Sequence, residues 1–244
     1  MPRDWDAEAY DRLPIPMTAW GLRVLGRLEL RGDERVLDAG CGTGQVTEAL
    51  LARLPRGEVV ALDGSVSMIE AAQERLGVER VTYLTHDLLE PIPIEPVDAI
   101  VSTATFHWIA DHDQLFMNLA GVLRSDGVLE AQCGGRGNIA RIEAIVRAMG
   151  YGDAFDAKRF PGVEETSERL ERAGFVDVRC WLEDEPTLLP AEDLELYLAT
   201  VCLGGVTEHM AGDDASKLVH EVADAMHGPL IDYVRLNISA RRDS

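Results

Sequence analysis

Short, uniformly apolar runs alternate with stretches whose apolar residues recur every three or four positions, and the pattern holds from residue 35 to about residue 133. The runs Arg35–Asp38, Glu58–Leu62, Val81–Leu84, Val97–Val101 and Gly127–Cys133 predict strands bounded by turn residues. Between them, Val46, Ala49, Leu50 and Leu54 recur at helical spacing and predict a helix over Gln45–Arg53. Ser67 with Glu70 three residues later reads as a capping box opening a second helix, and Gly77 as its stop. Asp113–Arg124 predicts a third helix. Strands that are apolar throughout are buried on both faces, so the expected fold is α/β, a doubly wound, mostly parallel sheet covered by helices on both sides.

Beyond residue 135 the pattern is less regular. Ile139–Met149 and Val163–Ala173 predict helices, Phe175–Leu182 a strand, Glu192–Cys202 and Ala215–Met226 two further helices, and Ile231–Ala240 a last strand. The expected organisation is an N-terminal helical cap over residues 1–32, a ligand-binding core over 33–135, and a second half over 136–244. That second half carries a helical insert over 190–228, expected to act as a lid rather than to build the core.

Composition changes this picture in two places. The chain has 244 residues with a formal net charge of −20, which repels a phosphate backbone and argues against nucleic acid as a partner. Half of that charge, 11 acidic residues against Lys217, lies between Glu183 and Gly228, as expected of the solvated faces of two amphipathic helices. The cysteines at 41, 133, 180 and 202 form no CxxC pair and no Cys/His group has zinc spacing, so no metal site is expected. No apolar run approaches the ~20 residues that span a bilayer, and the N-terminus lacks the apolar core of a signal peptide. A cytoplasmic protein without a membrane partner is the expectation; the oligomeric state, monomer or homodimer, stays open.

The informative stretch is Asp38-Ala39-Gly40-Cys41-Gly42-Thr43-Gly44, where a buried strand enters three alternating glycines and a helix follows. Residues without Cβ let the backbone approach a ligand closely, and N–H groups at the helix start face it. A second strand ends at Asp63-Gly64, and an acid at that place in a doubly wound fold hydrogen-bonds ribose hydroxyls. An adenosine-type cofactor follows. A dinucleotide is disfavoured: taking Gly40 and Gly42 as the first two glycines of GxGxxG, the third position is Gln45. Asp38 would repel a pyrophosphate and suits a ligand carrying positive charge.

The motifs Asp38–Gly44 and Leu62-Asp63-Gly64-Ser65 resemble the first two motifs of the class I S-adenosylmethionine-dependent methyltransferases. Thr85-His86-Asp87-Leu88 and Val97-Asp98-Ala99-Ile100-Val101-Ser102 resemble the next two, in order and at fitting distances. The resemblance implies S-adenosylmethionine as cofactor and seven strands with the last antiparallel. It implies that Gly40, Gly42 and Gly44 wrap the methionine part and Asp63 holds the ribose. Met68 would pack on the adenine, with core packing as its alternative. Asp87 and the Leu88 backbone would meet the adenine amino group, with Ser102 and Thr103 at the sulfonium end and Tyr10 beside the cofactor.

A narrower resemblance joins Asp4-Trp5 and Tyr10, Phe106-His107-Trp108 and Ala240-Arg241-Arg242 to the trans-aconitate methyltransferase group of small-molecule carboxyl methyltransferases. The chain departs from that group at Thr103, where Asn is usual, and in the loop Cys133–Asn138, which counts against aconitate itself. The expected reaction is methyl transfer to a small organic molecule, foremost to a carboxylate oxygen, already ionised at pH 7 and needing no base. Trp5, Tyr10, Trp20, Phe106 and Trp108 are candidates for an apolar lid, and Arg136 and Arg159 for the substrate's cation. His107 has two readings. It is a positioning residue, or it is the catalytic base of an enzyme that methylates N, C or phenolic O. An NAD-linked oxidoreductase and a non-catalytic S-adenosylmethionine-binding module are the remaining alternatives.

Overall fold

The computed structural model describes residues 4–13, 16–152, 159–208 and 210–244. Seven strands form one sheet: β1 (Arg35–Ala39), β2 (Glu58–Asp63), β3 (Val81–Thr85), β4 (Val97–Thr103), β5 (Leu123–Gly134), β6 (Phe175–Asp184) and β9 (Val234–Arg242). The spatial order is β3-β2-β1-β4-β5-β9-β6. β1, β2, β3, β4 and β5 pair in parallel, and β9 runs antiparallel between β5 and β6. The order reverses at β1 and β4, which opens a crevice beyond their carboxyl ends. A separate two-stranded ribbon joins β7 (Thr187–Leu188) to β8 (Leu230–Ile231).

Successive strand residues point to opposite faces, and both faces are covered. Leu37, Val60 and Ile100 pack with Phe116 and Leu119 of α5 (His112–Val122) and Leu170 of α7 (Val163–Arg172). Their neighbours Val36, Val59 and Val101 pack on the other side, with Val24 of α2 (Met17–Leu25) and Leu50 of α3 (Gln45–Ala52). This is the expected doubly wound arrangement, with the last strand antiparallel.

Two boundaries differ from the sequence expectation for physical reasons. α4 (Val66–Leu76) is capped by Ser65, whose Oγ accepts the Met68 N–H at 3.3 Å, not by Ser67. The Ser67 hydroxyl donates instead to the Trp5 carbonyl, so the capping-box spacing was used for a tertiary contact. The chain also passes straight from α5 into β5 at Leu123, four residues before the expected strand. Val97 pairs with Leu123, and the register then shifts to Ala99 opposite Val128.

The acidic segment corrects an expectation too. Its helices are α8 (Leu194–Tyr197), continued by a π-helical stretch over Leu198–Cys202, α9 (Gly204–Thr207) and α10 (Gly212–Met226). Tyr197, Leu198, Leu203, Val222 and Met226 are fully buried, and they share a cluster with Met17, Trp20 and with Ile142 and Val146 of α6 (Ala140–Ala148). The insert therefore builds a second core rather than resting on the first as a detachable cover. Among the described residues no helix is long and apolar enough to cross a membrane. Truncating a side chain in that core should behave as a core mutation: Leu198→Ala is expected to lower stability by about 2–5 kcal/mol, read from the denaturant midpoint. A loss below ~0.5 kcal/mol would mean the insert folds independently of the domain.

Candidate active site

The crevice is bounded on the β1 side by the glycine loop. Gly40 N–H and Cys41 N–H both donate to the Leu62 carbonyl, at 2.7 and 3.0 Å, which ties the loop to β2. Gly40 has φ +87, and a Cβ there would stand 2.0 Å from the Thr105 hydroxyl oxygen, so no side chain fits. At Gly42, φ +54, a Cβ would meet no protein atom within 4 Å, because that position faces the open cleft. Gly44 does not line the cleft; it caps α3 and is turned towards Leu76 and Ala72 of α4.

Asp63 ends β2 and locks the loop from the other side. Its carboxylate accepts the Gly42 N–H on Oδ2 and the Ser65 N–H on Oδ1, both at 2.9 Å. Burial pushes its pKa up, against the opposing pull of those N–H groups. Gly64, Met68, Asp87 and Leu88 continue the same wall, and the Asp87 Oδ1 accepts the Leu89 N–H at 3.0 Å. The N-terminal helix then closes this end. Asp11 of α1 (Ala7–Arg12) accepts from Thr43 Oγ1 at 2.6 Å and from Gln45 Nε2 at 2.8 Å and pairs with Arg75. Gln45, wrong for a dinucleotide loop, is thus one of three residues that dock the N-terminal helix.

Asp38 lies behind the loop, 1% exposed and outside the cleft lining. Thr47 Oγ1 donates to its Oδ2 at 2.7 Å, while Oδ1 has no partner. Burial drives its pKa up to about 7, with the nearby Asp63 charge adding to the effect. Ser102 is likewise turned inward: its hydroxyl donates to the Ala39 carbonyl at 2.6 Å, stitching β4 to β1, and it does not reach the cleft. Thr103 does line it, as do Ala104, at a strained φ of +56, and Thr105, neither of which stood out in sequence.

Elsewhere in the lining, Trp5 packs edge-on against Trp108 at 5.0 Å and against Tyr10 at 6.0 Å, and all three line the cleft. Phe106 does not; it is 1% exposed in the central core against Phe116. Trp20 is core as well, beside Tyr233. His107 lines the cleft and is stacked on Phe160 at 5.8 Å. Its Nδ1 accepts the Gly134 N–H at 3.3 Å. Neither sequence-nominated arginine reaches the cleft. Arg136 is exposed and pairs with Glu165 at 3.1 Å, and Arg159 is exposed, its backbone N–H donating to the His107 carbonyl.

Among the described residues the arginine that lines the cleft is Arg235, on β9 opposite Gly134. It is 1% exposed, its guanidinium lies 4.5 Å from the Trp20 ring centroid, and Nε donates to Gln132 Oε1 at 3.5 Å. The sequence did hold a signal for it: Arg235 is the only Lys or Arg between Lys217 and Arg241, set between Val234 and Leu236 in the last strand. Among the described residues no cluster of His, Cys, Asp and Glu is arranged to hold a metal.

A seven-stranded sheet of this order, with a glycine loop after β1 and an acid at the end of β2, is the fold of the class I S-adenosylmethionine-dependent methyltransferases. Residues 36–127 match the family described as a methyltransferase domain, and the fold is that of the class I type. It is 33% identical over 129 residues to the trans-aconitate 2-methyltransferase of Acidovorax ebreus (strain TPSY), covering 53% of this chain and 49% of that protein. The chain thus spans about half the length of the curated relatives it matches. A crystal structure of a putative methyltransferase from Bacillus halodurans superposes with a TM-score of 0.64 at 16% identity, over 93% of this chain and all of that one (100%). A Haemonchus contortus phosphoethanolamine N-methyltransferase, solved with S-adenosylhomocysteine, gives 0.62 at 19% identity, over 93% of this chain and 53% of that one. Both establish the fold.

Two expectations follow. Removing the Asp63 carboxylate breaks charge-assisted hydrogen bonds of roughly 1.5–3 kcal/mol, so Asp63→Ala should weaken S-adenosylmethionine binding at least about tenfold by calorimetry. An unchanged dissociation constant would remove Asp63 from the cofactor site. Asp38 sets a pH dependence. Its folded pKa, about 7, lies above the ordinary carboxylate value, so the folded state holds the proton more tightly. The resulting stabilisation is complete at acid pH and is lost as pH rises through about 7. Relative to wild type, Asp38→Asn should therefore be more stable at pH 8 than at pH 5.5 by about 1–2 kcal/mol. A difference that does not move with pH would show that Asp38 is ionised throughout.

Proposed function

We propose that the protein transfers a methyl group from S-adenosylmethionine to an ionised carboxylate of a small organic acid. The fit to the cofactor rests on the open space at Gly42 and on the wall that continues it. In this reading Asp63 takes the ribose hydroxyls, and Asp87, the Leu88 backbone and Met68 take the adenine. Gly40, Gly42 and Thr103 border the methionine part. When bound, S-adenosylmethionine supplies an electrophilic methyl, released with the electron pair of its carbon–sulfur bond left on sulfur.

The observation that carries the carboxylate reading is the hydrogen bond from Gly134 N–H to His107 Nδ1. A nitrogen that accepts from a fixed backbone donor is the unprotonated one, so in the neutral ring Nε2 carries the hydrogen. His107 is then a donor at Nε2 and is not set to take a proton there. Protonating Nδ1 would put two donors face to face. The alternative in which His107 serves as base for an amine, carbon or phenol is disfavoured for that reason. The Tyr10 hydroxyl is no substitute, since burial raises its pKa. A carboxylate needs neither, because it is ionised at neutral pH.

The roles left to the chain are orientation and exclusion of water. Trp5, Trp108 and Phe160 supply apolar walls to the cleft that His107 also lines. Charge is neutralised as the reaction proceeds, so a poorly solvated cleft favours the transition state, and alignment adds to that.

His107→Gln keeps a donor at nearly the same place and should leave kcat within about tenfold of wild type. The wild-type rate should be flat from about pH 6 to 8. A fall in kcat of ~10²-fold or more, with a rate limb near pH 6.5, is the signature of a lost general base and would overturn the reading.

A further inference from the structure

A buried charge is stable only when paired or when a ligand will pair it. Among the described residues Arg235 is the largest fully buried side chain, and its guanidinium pairs with no carboxylate. Its Nη2 is buried without any hydrogen-bond partner. What surrounds it is aromatic: the Trp20 ring at 4.5 Å and the Tyr233 ring at 5.8 Å, with Tyr10 near enough to interact electrostatically. Tyr233 is itself held, its hydroxyl bonded to that of Tyr197, which reaches Met17 Sδ at 3.8 Å. Trp20 and Tyr233 also pack on each other edge-on at 5.1 Å. The guanidinium is thus gripped by side chains that orient it through their π faces and leave its ionic pairing unused. In a chain of net charge −20, a buried cation that pairs with no carboxylate among the described residues, although Asp63 and Asp87 line the same cleft, is poorly explained by folding alone.

We propose that Arg235 is a specificity-determining anchor for an anionic group of the acceptor other than the carboxylate that receives the methyl. The assignment rests on the methyl-transfer reading above. A carboxylate loses its charge as it becomes an ester. An arginine paired to that same carboxylate would stabilise the ground state more than the transition state and would slow the reaction. Paired to a second anionic group, whose charge persists, it binds both states equally and fixes the orientation of the reacting end. The bidentate fork of a guanidinium suits a carboxylate in that role.

The test compares glutarate with pentanoate, acids of equal carbon count, by calorimetry on the full chain carrying S-adenosylhomocysteine. Wild type should bind glutarate at least about tenfold more tightly. Arg235→Gln should bring the two acids within about twofold of each other, Arg235→Lys should keep part of the preference, and affinity for S-adenosylhomocysteine should not change in either variant. No preference in wild type, or one that survives Arg235→Gln, overturns the assignment. So does a tenfold loss of S-adenosylhomocysteine affinity in Arg235→Gln, which would give the arginine to the cofactor's carboxylate. Should Arg235→Gln fail to fold, the wild-type ratio and Arg235→Lys decide, since Lys keeps the charge but not the fork. Binding and turnover fail separately. A glutarate preference without methyl transfer to any acid sinks the methyl-acceptor reading and leaves the anchor. Transfer to mono- and diacids alike, with equal affinity, does the reverse.

Discussion

The Asp63 carboxylate accepts one N–H from the loop after β1 and one from the turn before α4, and the cofactor-side wall of the cleft is built outwards from those two bonds. They hold Gly42 against the end of β2 and set where α4 begins. Ser65 then caps α4 and also accepts the Trp5 N–H at 3.2 Å, so the N-terminal arm is laid across the same point. Trp5 in turn reaches Trp108 on the opposite lip. One buried acid, whose charge is opposed by burial and supported by backbone donors, thereby fixes loop, helix and roof before any ligand arrives.

The parallel sheet was legible because burial on both faces leaves a distinct mark: five short apolar runs, each ending at the carboxyl edge where the crevice opens. The glycine loop and Asp63 were legible for the same reason, since backbone approach and strand-end position depend on local sequence. What stayed hidden depended on where a side chain points. Ser102 and Phe106 sit beside cleft residues in sequence, yet strand alternation and a 3-10 turn direct them into the core. Ser67 has the spacing of a cap but spends its hydroxyl on Trp5. The acidic insert looked like a cover because its charge is on the surface. Its inner face, Tyr197 to Met226, packs on residues far away in sequence, among them Met17 and Trp20 of α2 and Ile142 and Val146 of α6.

The substrate side was the least legible part, and its polar groups explain why. A search for a carboxylate-binding cation favours arginines in loops, and both nominees, Arg136 and Arg159, turned out exposed. Arg235 is tolerated in the interior because Trp20 and Tyr233 face its guanidinium, one from the second helix and one from just before the last strand. The behaviour of His107 likewise turns on a backbone donor 27 residues away in the chain. Both groups are read correctly only once β5 and β9 are paired, because Gly134 and Arg235 stand opposite each other across that ladder.

The central claim is that the acceptor atom is a carboxylate oxygen, and the chemistry of the product tests it most directly. The full chain would be incubated with S-adenosylmethionine carrying an isotopically labelled methyl group and a panel of small organic acids, amines and phenols. The labelled product would then be treated with mild alkali and followed by mass spectrometry. A methyl ester, formed only with the acids and losing its label as methanol, is the result expected. Label that survives alkali as an N-, C- or ether-linked methyl group would contradict the account.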